Sequence, residues 1–272
     1  MKNWKKRMAA VLLTAVMAAG VVANVTPASA ATLTAKQYLT KMEKASAEAK
    51  SYETTETTIQ KLSQEGQSIT SKSTVKMTVF QDPLKSKAVT TVTVKGDGVD
   101  QKSKVITYMK QDSDGNIYEY ISTNGSDYEE IDLTDMYSSA SDLDASLYSD
   151  AKIAKKSVKV NNTDTVQISA KIKGADVGKA LSALGVDSEQ MKELGIDFKT
   201  LDPIDVTLWI DKKTYQPIKA TTDMAAFYNG LYKSMYEAMG AECDISFSLA
   251  KSTVTYKNFN KATTFKFPDF SK

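Results

Sequence analysis

From Tyr52 to Gln111 the chain alternates long β-branched runs with links too short to hold a helix, and this restricts its fold more than any other feature. The runs YETTETTIQKLS, SITSKSTVKMTVF, SKAVTTVTVKG and SKVITYMKQ carry Thr, Val and Ile in frequent alternation with polar residues, the pattern of strands with two unlike faces. Their links, QEGQ, QDPL and GDGVDQ, have turn composition. Parallel neighbours need a crossover of a dozen or more residues. Links this short leave an antiparallel meander.

Strand signals continue downstream. Gly115 and the pair Asn124-Gly125 punctuate SDGNIYEYISTNGSDYEEIDL, and Asn-Gly is a strong hairpin signal. A hairpin is expected in KSVKVNNTDTVQISAKIKG, turning at Asn161 to Asp164, and another in VTLWIDKKTYQPIKATTDM. The closing strands are CDISFSLAKSTVTYKNFN and a shorter TTFKF.

Helical spacing occurs in four places. Thr34 is a candidate N-cap for a helix with Tyr38, Leu39, Met42, Ala45 and Ala49 on one face. ADVGKALSALG and DSEQMKELG read as short helices stopped by Gly185 and Gly195. DMAAFYNGLYKSMYEAMG places Met224, Phe227, Tyr228, Leu231, Met235 and Met239 at helical spacing, with Asp223 as a candidate cap and Gly240 as the stop. The polar stretch TDMYSSASDLDASLYSDA is a connection or lid. Runs of strands with helices gathered between them predict an α+β fold, a curved antiparallel sheet (an incomplete β-barrel) wrapping helices.

The first thirty residues are excluded from that fold. Lys2, Lys5, Lys6 and Arg7 precede the apolar run MAAVLLTAVMAAGVV, which ends in Ala28-Ser29-Ala30, so residues 1–30 read as a signal peptide cleaved after Ala30 and residues 31–272 as one domain. Ala31 stands where a lipoprotein would carry its cysteine. The expected location is therefore secreted, in a bacterial envelope or beyond it. Losing the four leader cations takes 35 basic side chains to 31, against 33 acidic ones. That balance gives no electrostatic footprint for nucleic acid.

Absences restrict the chemistry. There is no His, and Arg7 is the only Arg. His-dependent nucleophilic triads and His-ligated zinc are excluded, and the planar fork that clamps phosphates and carboxylates is missing from residues 31–272. Cys243 is the only cysteine, so the chain has no internal disulfide. Asp112, Asp114, Asn116 and Glu119 fall short of calcium-loop spacing and read as a turn. The carboxylates of DYEEIDLTD read as a solvated acidic loop. No enzyme, metal or cofactor is expected.

The signal peptide, the helix before the first strands, FQDPLKSKAVTTVTV, YEYISTNGSDYEEIDL, and LWIDKKTYQPIKATTDM with its following Met-rich helix together resemble the LolA-like superfamily of lipoprotein carriers and its LppX-type relatives, particularly exported Gram-positive members of unknown function. The resemblance implies an incomplete antiparallel barrel whose concave side holds acyl chains or other lipophilic ligands. It also implies an Arg-closed lid in the Gram-negative carriers, which residues 31–272 cannot supply. Carriage of lipoproteins between membranes is therefore not expected.

A lipid or other lipophilic small molecule is the expected partner, with peripheral membrane or cell-wall contact as a second. Its wall would be Trp209, Ile218, Ala220, Met224, Phe227, Tyr228, Leu231 and Met235. Met and aromatic side chains fill irregular gaps, so the plainer account of the same face is core. With a loop at Lys212 to Tyr215, Trp209 is expected opposite Ile218, both facing the Met-rich helix, and Tyr215 is expected in a left-handed conformation. The rival to a carrier is an extracellular or wall-associated interaction module with a filled core.

Overall fold

The computed structural model of the chain describes residues 33–134, 145–183, 191, 192 and 194–270. Among the described residues, eleven strands form one antiparallel sheet. They are β1 (Ser51–Gln64), β2 (Gln67–Gln81), β3 (Leu84–Gly96), β4 (Val99–Gln111), β5 (Ile117–Thr123), β6 (Glu129–Asp132), β7 (Tyr148–Val160), β8 (Thr163–Ile172), β9 (Ile204–Asp211), β10 (Pro217–Asp223) and β11 (Ser246–Lys257). Their spatial order is β6-β5-β4-β3-β2-β1-β11-β10-β9-β8-β7, which is open at β6 and β7. The fold is α+β, as expected, and the meander β1 to β5 pairs in sequence order. The β7 edge is interrupted by register shifts and carries exposed Lys155, Lys156 and Lys159, features that discourage edge-to-edge pairing.

Three helices are described: α1 (Ala35–Ala47), α2 (Gly174–Ala183) and α3 (Ala225–Ala238). Thr34 caps α1 as expected, and its hydroxyl accepts from the Gln37 N–H while the Gln37 side chain accepts from the Thr34 N–H, a reciprocal capping box. At α3 the N-cap position is Met224 rather than Asp223, although an Asp223 carboxylate oxygen accepts from the Ala225 N–H at 3.3 Å. Gly240, at φ +66°, ends that helix as its sequence implied.

Leu39 and Met42 of α1, Val177 of α2 and Phe227, Tyr228 and Leu231 of α3 share one buried cluster with Val166, Ile168, Val206, Leu208 and Ile210 of β8 and β9. All three helices therefore cover the same face of the β8–β11 half, called the inner face below. Tyr148, at the start of β7, lies within electrostatic reach of Tyr256 on β11. Strands four places apart in a flat sheet are separated by about 19 Å, so the sheet curls toward its helices.

Two expectations at the ends of elements are corrected. β7 begins at Tyr148, inside the stretch read as a connection, because Tyr148 and Ile153 pack against the core. TTFKF pairs with no strand. Instead the chain after β11 wraps around the start of β1: the Asn260 N–H donates to the Ser51 carbonyl at 2.7 Å, and the Lys50 N–H to the Asn260 side-chain oxygen at 2.6 Å. Phe259 touches Tyr52 and Tyr256 on the inner face. Phe265 then lies against Phe80 and Tyr108, and Phe270 stacks on Tyr120 at 3.8 Å, on the opposite, outer face. Burial raises the Tyr120 hydroxyl to about 12, with the Glu130 carboxylate as the second cause. Residues 184–190 and most of 134–144, where a short helix and a lid were expected, lie outside the described residues.

Glu53 fastens this C-terminal segment. Its carboxylate accepts from the Thr263 N–H at 3.0 Å and from the Asn258 amide at 3.0 Å, and pairs with Lys257 at 3.3 Å. The Thr263 bond leads in holding the carboxyl below its ordinary value of 4.5. A lowered folded-state value means the ionised form stabilises the fold. That contribution is complete above the unfolded value of about 4.5 and is lost as pH falls through the folded value. Glu53→Gln should therefore cost about 1–2 kcal/mol near pH 7, with a difference from wild type that shrinks as pH falls below 4.5 in chemical denaturation. A difference that stays constant from pH 7 to pH 3 would separate Glu53 from the stability of the segment.

Candidate functional site

Register assigns each expected wall residue to a face. Leu208 pairs with Ala220, Ala220 with Val254, and Val254 with Glu56, so these share the inner face. Ala220 is 2% exposed, Phe227 3%, Tyr228 6% and Leu231 1%. Met224 and Met235 are partly buried against the same cluster. Six of the eight expected residues are thus brought together by α3 and β10, and four of them are fully buried core.

Trp209 and Ile218 are not with them. Trp209 pairs with Lys219, whose ammonium sits 4.8 Å from the centre of the indole ring on the outer face. The loop closes where expected, since the Asp211 N–H donates to the Gln216 carbonyl at 2.9 Å and Ile210 pairs with Pro217. A register shift between Pro217 and Lys219 then leaves Ile218 as the extra residue. The face of Trp209 follows from β9 itself. Ile204, Val206, Leu208 and Ile210 alternate with it and are all buried, and four aliphatic side chains bury more apolar surface than one indole. Tyr215 does adopt the left-handed conformation, at φ 59°, with its ring against Tyr38 and beneath Lys41 of α1.

α3 presents its aromatic side to β11: Tyr228 and Tyr232 approach Phe247 at 5.3 and 5.4 Å between ring centres. A polar band adjoins it on the inner face, made of the buried Thr54, Thr58 and Gln60 of β1, Ser252 of β11 and Thr222 of β10. Glu56 lies in this band, and one of its carboxylate oxygens accepts from the Ser252 hydroxyl at 2.6 Å and from Thr58 at 3.3 Å. Burial first, then Tyr232 and Glu56, pushes the Tyr228 hydroxyl up to about 12. Burial likewise raises Tyr256, followed by Tyr148, Tyr52 and Glu56. These phenols stay protonated at physiological pH and act as neutral hydrogen-bond partners. The arrangement offers polar anchoring beside an apolar wall.

Beyond the band, the inner face continues over β2, β3 and β4. Val75 pairs with Thr90 and Thr90 with Val105, so Ile69, Val75, Met77, Val92, Val94 and Val105 all point inward. Each is half-buried. None belongs to the core cluster under the helices. No charged residue falls at an inward position in these three strands. This second wall was not among the expected residues, yet its signal was present: in SITSKSTVKMTVF the lysines occupy one alternation and Ile, Val and Met the other.

The candidate metal loop is a closed turn. One Asp112 carboxylate oxygen accepts from the N–H groups of Asp114 and Asn116, both at 2.9 Å. The other oxygen accepts from the Asn116 side-chain amide at 3.1 Å.

Solved structures similar to this chain include members of the group that its sequence resembles. The lipoprotein LppX of Mycobacterium tuberculosis aligns at 12% identity with a TM-score of 0.48, covering 85% of this chain and 97% of that one. A putative outer membrane lipoprotein-sorting protein domain from Vibrio parahaemolyticus aligns at 11% identity with a TM-score of 0.24, over 80% and 88% of the two chains. A DUF1329 family protein from Desulfovibrio piger aligns at 8% identity with a TM-score of 0.24, over 84% and 91%. No curated protein matches the chain. Residues 34–271 match the model of DUF6612, a family of unknown function, and the chain belongs to that family.

Proposed function

We propose that the protein is exported and binds a lipid or other lipophilic molecule against the inner face of its open sheet, without catalysing a reaction. The observation that carries this reading is the charge-free, half-exposed aliphatic wall of β2–β4, on the same side as α3 but outside the core. Sites for such ligands are concave, largely apolar and sparsely polar. Ile69, Val75, Met77, Val92, Val94 and Val105 supply the apolar wall in this proposal, Glu56 the polar anchor, and Met224 and Met235 the adaptable rim. Fully buried Phe227, Tyr228, Leu231 and Ala220 support that rim from beneath.

The second reading is a protein-interaction module built on the same scaffold. The filled core beneath α3 favours it, because a well-packed β8–β11 half leaves no ligand space there.

Native mass spectrometry and lipid extraction of protein purified from its own host separate the two. A carrier emerges with bound lipid or takes up fluorescent fatty acids afterwards. Trp209 emission stays within about 2 nm of its starting maximum during uptake, since the indole lies on the outer face over Lys219. Protein that repeatedly emerges ligand-free and takes up no fatty acid would remove the carrier reading.

A further inference from the structure

Charge on β2–β4 is sorted completely by face. Lys72, Lys76, Lys85, Lys87, Lys95, Lys102, Lys104 and Lys110 all occupy outward register positions, and the one carboxylate among them is Asp100, paired with Lys95 at 3.3 Å. Lys85 stands directly opposite Lys110, a like-charge pairing that opposes sheet formation. Eight lysines against Asp100 on these strands, with Glu53 of β1 and Glu130 and Asp132 of β6 at the borders of the same face, leave an excess of positive charge there.

The two ends of this face differ. At one end, rings of the sheet and of the C-terminal segment sit beside the cations: the Lys85 ammonium lies 4.6 Å from the Phe80 ring centre and 5.8 Å from that of Phe265, and Lys110 lies 5.1 Å from Tyr120 and 5.7 Å from Phe270. An open groove of about 320 Å³ lies beside them, with Lys76, Lys87, Lys257 and Phe265 in its wall. At the other end Lys72, Lys102 and Lys104 are exposed among threonines. Eight residue rises separate Lys102 from Lys110, so the face is roughly 26 Å long and, from β2 to β4, about 10 Å wide.

We propose that this lysine face docks the protein on the anionic headgroups of a phospholipid membrane. The charges are spread over three strands rather than lined along a cleft. They sit on lysine, a flexible point charge suited to mobile headgroups, and the folded residues contain no arginine fork for fixed phosphate geometry. The rings at one end are packed against the sheet, with Tyr108 and Tyr120 each 6% exposed, so lysine charge and not aromatic insertion carries the docking. The face is opposite the proposed ligand wall, so docking and ligand uptake are separable.

Every described element lies within residues 33–270, so protein without residues 1–30 serves for the test. It should co-sediment with vesicles of phosphatidylcholine containing 30% phosphatidylglycerol at 50 mM salt, and at least tenfold more weakly at 500 mM, where screening is nearly complete. Each lysine near such a surface is worth about fivefold in partitioning. The triple variant Lys72→Gln, Lys102→Gln and Lys104→Gln should therefore lose tenfold or more, while arginine at the same three positions retains binding. An equal charge change on β7, Lys155→Gln, Lys156→Gln and Lys159→Gln, should stay within twofold. Should the first triple not fold, the single variant Lys102→Gln and the salt series on wild type carry the same decision. Equal binding to pure phosphatidylcholine, equal loss in the β7 variant, or tighter binding to soluble polyphosphate than to the vesicles would each overturn the proposal.

Discussion

Leu231→Ala should lower the unfolding free energy by about 3 kcal/mol and the melting temperature by roughly 6–12 °C. Leu231 is 1% exposed, in the middle of α3, inside the cluster that joins that helix to Leu208 and Ile210 of β9. Deleting a buried leucine removes its transfer free energy and leaves a cavity, and the cost grows with the cavity that remains. Met235→Ala, one turn further along the same face but only partly buried, should cost about 1 kcal/mol. Urea denaturation of both variants measures the contrast. It also separates two roles for α3: a helix resting on a ligand void would yield easily at Leu231, because the truncated site would border space that already exists. A cost below about 1 kcal/mol at Leu231 would place the proposed cavity under α3 and not over β2–β4.

That contrast bears on what was readable in the chain. Local chemistry located the meander from Tyr52 to Gln111, the capping box at Thr34 and Gln37, the Met and aromatic face of α3, and the left-handed Tyr215. Each of these depends on residues within a few positions of one another. The place of Ile218 did not follow from such signals, whereas the outward face of Trp209 is set by the buried Ile204, Val206, Leu208 and Ile210 that alternate with it. A turn closing at Asp211 and Gln216 implies Trp209 opposite Ile218, and only the shift between Pro217 and Lys219 breaks that register. Because side chains alternate every residue, one extra residue turns a strand over. TTFKF failed for a related reason: it alternates like a strand, but its phenylalanines bind Phe80 and Tyr108 on a face contributed by β2 and β4, more than 150 residues earlier. The aliphatic wall was legible in composition and hidden in meaning. Alternation shows that Ile69, Val75 and Met77 share a side; it takes the full register to show that the helices gather their core over the far half of that side.

Val92→Glu should reduce fatty-acid uptake by roughly a hundredfold while Val89→Glu leaves it within twofold, although the two substitutions lie three residues apart on β3. Val92 points inward between Ser73 and Ser103, diagonal to Val75 and Val105; Val89 points outward between Lys76 and Ile106. A carboxylate at Val92 keeps its hydration shell, and an acyl chain lying along β3 loses contact with the wall there. Exclusion from three or four methylene contacts at about 0.8 kcal/mol each costs about 3 kcal/mol, close to two powers of ten in affinity. Val92 is half-exposed, so the same variant should lose no more than about 2 kcal/mol of stability, and a thermal melt distinguishes lost binding from lost fold. At Val89 the new carboxylate meets Lys76 across the strand pair, which if anything favours the folded sheet. Equal losses at the two positions would mean that uptake follows surface charge and not the inner wall. Intact uptake in Val92→Glu, with a melt close to wild type, would move the ligand off β3 and leave the polar band around Glu56 as the place to look for it.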